Sequence, residues 1–69
     1  MPTIRVELFE GRTAEQKAAL AKELTDACVR VLGGNPGGVD ILFYDIKRSD
    51  WATGGQFWSQ MPPAAPAGT

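Results

Sequence analysis

P-T-I-R-V-E-L-F-E-G-R, residues 2–12, is the stretch whose reading decides the fold. Its alternation puts Ile4, Val6 and Leu8 on one face of a strand and Thr3, Arg5, Glu7 and Phe9 on the other. Gly11 breaks the run just before Arg12. Pro2 stands directly behind the initiator methionine. Once Met1 is removed, Pro2 carries a free secondary amine, able to act as base, acid or nucleophile in a chain with no histidine. An α-amino group titrates near pKa 7.7–8.0, roughly, and a secondary amine starts higher. Burial in an apolar pocket disfavours the charged form and moves the value towards neutrality, where a base suits proton transfer from carbon. The same residues also describe a plain N-terminal strand, so the chain beyond them has to be read.

Outward from Arg12 the next signal is a helix start. Thr13 with Gln16 three residues on fits a capping box. Leu20, Ala21, Leu24, Ala27, Cys28, Val31 and Leu32 then recur at helical spacing, with Lys17, Lys22, Glu23, Asp26 and Arg30 largely opposite them. Gly33-Gly34 closes the run. This predicts a helix over residues 13–32, about 30 Å long. Cys28 lies on the apolar stripe and reads as a small buried hydrophobe rather than a reactive thiol.

N-P-G-G at residues 35–38 is a turn, and V-D-I-L-F-Y-D-I at 39–46 is dense in branched and aromatic residues and therefore strand. Lys47 to Asp50 read as loop. Trp51 followed by Gly54-Gly55 suits a hairpin, with Gln56-Phe57-Trp58 as a short last strand. The fold class is α+β: a β-α-β protomer of two parallel strands and one long helix, with a short C-terminal hairpin. Residues 1–60 form the domain. Residues 61–69, M-P-P-A-A-P-A-G-T, are a Pro/Ala-rich flexible tail with little to bury.

Sixty-nine residues make a single small domain. A chain of this size buries only roughly 60% of its unfolded surface, and below about 70–80 residues a lone core usually needs a staple or a partner. A single cysteine gives no internal disulfide, and no Cys/His cluster offers a metal site, so no metal is expected. The second strand carries large apolar groups on both faces, and one helix covers only one of them, which calls for a homo-oligomer. Seven basic against eight acidic residues, without a basic run, argue against nucleic acid. No apolar run reaches membrane-spanning length and nothing reads as a signal peptide, so no membrane partner is expected. The unpaired thiol fits a cytoplasmic location.

P-x-I-x-V-x-L-x-E-G-R, the capped helix, the second β-run and the late aromatic-x-x-G-G together resemble the 4-oxalocrotonate tautomerase family over residues 2–58. The resemblance implies protomers that pair into a four-stranded sheet and assemble as hexamers, trimers of dimers. It also implies cofactor-free proton transfer between carbon atoms of a small anionic 2-oxo or enol carboxylate. On this reading Pro2 is the general base and Arg12 binds the substrate carboxylate. Trp51 stands where the family usually has phenylalanine, as the apolar wall.

One position departs from the pattern. The family's second arginine, which polarises a substrate oxygen from a neighbouring subunit, falls at Asp40. An acid there cannot donate to a developing oxyanion. Arg5, Lys47 and Arg48 are nearby candidates for the missing cation. Other members of the superfamily, the chloroacrylic acid dehalogenases and malonate semialdehyde decarboxylase, use a carboxylate to activate water or orient an intermediate. Asp40 fits that role as an alternative, and on a strand end it also fits a solvated charge. A further alternative is a non-catalytic assembly subunit that keeps the fold without the chemistry.

Overall fold

The computed structural model describes residues 2–61. Strand β1 spans Thr3–Phe9, helix α1 Ala14–Leu32, and strand β2 Asp40–Ile46. Two short strands, β3 (Ala52–Thr53) and β4 (Gln56–Phe57), form the C-terminal hairpin. β1 and β2 pair in parallel, from Thr3 with Asp40 to Phe9 with Ile46, as a strand–helix–strand crossover requires. The expected tail lies, from residue 62 on, outside the described residues.

The helix begins where its cap does. Thr13 Oγ1 accepts from the Gln16 backbone N–H at 3.1 Å, and Gln16 Oε1 accepts from the Thr13 N–H at 2.9 Å. Two amide donors that lack helical partners are satisfied by this exchange, worth about 1 kcal/mol. At the other end the Gly33 N–H donates to the Val29 carbonyl, and Gly33 turns out of the helix at φ 83°, ψ −176°. Lys22 and Asp26 pair along the exposed side at 2.7 Å, and the Asp26 hydrogen bond and charge raise the Lys22 pKa above its ordinary value.

Ile4, Val6 and Leu8 of β1 and Ile41 and Phe43 of β2 share one sheet face and are half-buried, while Thr3, Arg5, Glu7, Leu42 and Tyr44 on the other are exposed. The helix lies on the first face. Lys17 of its second turn reaches Asp45 on β2 at 2.6 Å, tying helix start to strand end.

Two expectations need correction. Val31 and Leu32, placed on the apolar stripe by spacing, are 74% and 68% exposed. A helix of 19 residues runs about 28 Å. The 7-residue strands run about 23 Å, so the last helical turn has little sheet to rest on. Trp58, expected in the final strand, instead opens a 3-10 turn over Trp58–Gln60. Its indole N–H donates to Thr53 Oγ1 at 2.9 Å and its backbone N–H to the Trp51 carbonyl at 2.9 Å. The predicted loop after β2 likewise holds a 3-10 turn, Arg48–Asp50.

Among the described residues none is fully buried, and Leu42, Tyr44 and Phe57 are each more than two-fifths exposed. One protomer therefore closes no core of its own. No described helix is long and apolar enough to cross a membrane.

Candidate active site

The parallel sheet sorts four of the sequence-predicted site residues, Pro2, Asp40, Arg12 and Trp51, into two groups, one at each end. At the amino end, Asp40 donates its backbone N–H to the Pro2 carbonyl at 3.0 Å, which continues the ladder one step beyond β1. Pro2 is half-buried. It lines a cavity of about 230 Å³ with Cys28, the Gly33-Gly34 turn, Asn35, Gly38 and Val39. The cavity exists because the helix ends in glycines just where the chain must turn back towards β2. Cys28 is half-buried in this wall. Asp40 begins β2 beside Pro2 and is exposed.

At the carboxyl end the centre is Phe9, a residue that sequence reading gave no role. Trp51 packs against it with ring centroids 4.6 Å apart, Trp58 meets it at 5.4 Å nearly edge-on, and the Arg48 guanidinium lies 4.6 Å over its ring. Such contacts are each worth about 0.5–1.5 kcal/mol beyond the area they cover. A phenylalanine closing a strand immediately before E-G-R, with two tryptophans downstream, was the available signal. Arg12 sits past Gly11, in the loop between β1 and α1, and is half-buried. Gly11 takes φ 116°, a turn that frees Arg12 from the strand direction.

Seven residue steps separate Pro2 from Phe9, about 23 Å along a strand. Within one protomer, then, Arg12 and Trp51 stand together at one end and Pro2 and Asp40 at the other. Arg5 belongs to neither group. It is on the outer sheet face, 5.5 Å over the Tyr44 ring. Among the described residues no group of three Cys, His, Asp or Glu side chains could hold a metal ion.

The sequence profile described as tautomerase enzyme matches residues 2–61. A solved 4-oxalocrotonate tautomerase homologue superposes with a TM-score of 0.82 at 35% identity, covering 91% of this chain and all of the other. The chain belongs to the 4-oxalocrotonate tautomerase family. A probable tautomerase of Ralstonia nicotianae is 44% identical over 62 residues, 90% of this chain and 95% of that protein. A heterohexameric 4-oxalocrotonate tautomerase from Chloroflexus aurantiacus matches with a TM-score of 0.83 at 27% identity, covering 90% of this chain and all of its counterpart. The family's E-G-R and aromatic-x-x-G-G motifs thus map to the Phe9 end, and its N-terminal proline to the cavity end.

Proposed function

We propose that this tautomerase family member is a cofactor-independent isomerase that moves a proton within small 2-oxo or enol carboxylates. Pro2, with Met1 removed, is the general base. Its half-buried position on a cavity is the observation that carries this reading, because a secondary amine out of bulk water is easier to keep neutral. Arg12 holds the substrate carboxylate, and Trp51 supplies the apolar wall. Since these two lie at the opposite end of β1 from Pro2, each site is built between chains: the Pro2 end of one protomer meets the Arg12 end of another. A homo-oligomer, a hexamer on the pattern of the family, brings them together. The uncovered Leu42 and Tyr44 on the outer sheet face support such assembly.

A second reading has one observation in its favour. Asp40 is bonded through its backbone N–H to Pro2, and this nearness supports a role for its carboxylate in activating water, as in a dehalogenase or decarboxylase of the same superfamily. Steady-state kinetics of the fully processed protein with 2-hydroxymuconate, phenylpyruvate and 3-chloroacrylates separate the two. Turnover of the enols that vanishes when the Pro2 nitrogen is blocked supports the isomerase. Turnover of chloroacrylates alone supports the second reading, and no turnover of any leaves an assembly subunit.

A further inference from the structure

Each of the two parallel strands delivers one arginine past its carboxyl end. Arg12 follows β1, and Arg48 opens the 3-10 turn that follows β2. Loops after neighbouring parallel strands converge at that edge, which is why ligands of parallel sheets gather there. Arg48 is exposed, and its guanidinium is held over Phe9, the ring that also packs against Trp51.

The face of this guanidinium is covered by the Phe9 ring. Among the described residues no carboxylate pairs with Arg48. A guanidinium placed over an aromatic ring keeps its fork of N–H donors, whose geometry matches a carboxylate in bidentate fashion. The aromatic support also reduces the side-chain freedom that binding would otherwise remove. Three other cations are engaged elsewhere: Arg5 over Tyr44, Lys17 with Asp45, Lys22 with Asp26.

We propose that Arg48 is a further substrate-binding residue, holding the second anionic end of a substrate whose first carboxylate is held by Arg12. The proposal rests on the reading of Arg12 and Trp51 as part of the proton-transfer site. Two arginines following the carboxyl ends of paired parallel strands favour a substrate with two carboxylates over one with a single carboxylate and an apolar remainder. Arg48 touches no atom at which the proton moves, so its effect falls on binding.

The test compares wild type, Arg48→Ala and Arg48→Lys on 2-hydroxymuconate, a dicarboxylate, and phenylpyruvate, a monocarboxylate. Loss of one charge-assisted hydrogen-bonded pair should raise KM for the dicarboxylate about tenfold or more, with a smaller change in kcat and a lowered preference for two carboxylates. Arg48→Lys should recover part of the loss, since it restores the charge without the fork. Equal increases in KM for both substrates, or no increase for the dicarboxylate, overturn the proposal. A calorimetric titration with muconate, which has no enol to ketonise, reads the site without turnover. If wild type turns over neither substrate, the proton-transfer reading fails. Weaker muconate binding to Arg48→Ala would then still place an anion site at Arg48, while equal or undetectable muconate binding by both proteins overturns it.

Discussion

Asp40 donates its backbone N–H to the Pro2 carbonyl at 3.0 Å, so an acid begins the strand that flanks the N-terminal proline. The bond belongs to the parallel ladder and fixes the main chain of Pro2 whatever side chain position 40 carries. The side chain is therefore free to vary chemically without loss of the fold.

The variant Asp40→Arg should keep the fold and raise tautomerase activity. A cation at this strand end would donate to negative charge that develops on the substrate near Pro2. Loss of one such donor costs about 3–4 kcal/mol in other enzymes, so kcat/KM with an enol substrate should rise up to about a hundredfold. If Asp40 activates water instead, the same change abolishes chloroacrylate hydrolysis. Kinetics of both reactions on this one variant decide. Unchanged rates in both would place Asp40 outside the site.

Gly33→Ala should destabilise the protein by about 1–3 kcal/mol, because φ 83° with ψ −176° is a region open essentially to glycine alone. No atom lies within 4 Å of the position an added Cβ would take, so the cost is backbone strain rather than crowding. Denaturant unfolding measures it. Gly33 also lines the Pro2 cavity, and a shifted turn there should lower kcat as well.

Trp58→Phe should cost about 1 kcal/mol, the worth of the lost bond from its indole N–H to Thr53. Thr53→Val should cost a similar amount. The double variant should be no worse than the sum, and a thermal unfolding series checks the coupling between them.

What could be read in advance was local and periodic. Thr13 with Gln16, the Gly33 stop and the Gly54-Gly55 hairpin each announce a backbone requirement in adjacent residues. Both hairpin glycines take positive φ, 63° and 82°, as a two-residue turn with the twist of its strands demands. Periodicity marks the helix face but not its cover, so Val31 and Leu32 lie on the apolar stripe and yet stand exposed, the strands being too short to reach under them. The two ends of the sheet were harder still. The motifs from Pro2 to Trp51 do not say that a parallel strand pair carries Pro2 to one edge and Arg12 and Trp51 to the other. Phe9 carries no local signal of these contacts, because its partners Trp51, Trp58 and Arg48 are distant in sequence and meet it only once the hairpin folds back.

That separation yields a test of the whole site by subunit mixing. Consider one chain with its Pro2 nitrogen capped by an uncleaved N-terminal tag, and another with Arg12→Ala. Alone, the first should be inactive and the second should show a raised KM for its anionic substrate. If Pro2 and Arg12 of a working site come from different protomers, oligomers refolded from an equal mixture contain intact sites, each taking its proline from the Arg12→Ala chain and its arginine from the capped chain. Random assembly gives about a quarter of all sites this composition. At substrate concentrations where Arg12→Ala alone is weak, activity should recover to roughly that fraction of wild type. If each site drew both residues from one chain, no mixture would produce an intact one, and activity would stay at the average of the two parents. The recovery should also require exchange: the same chains mixed without denaturation should stay at the parental average until subunits dissociate.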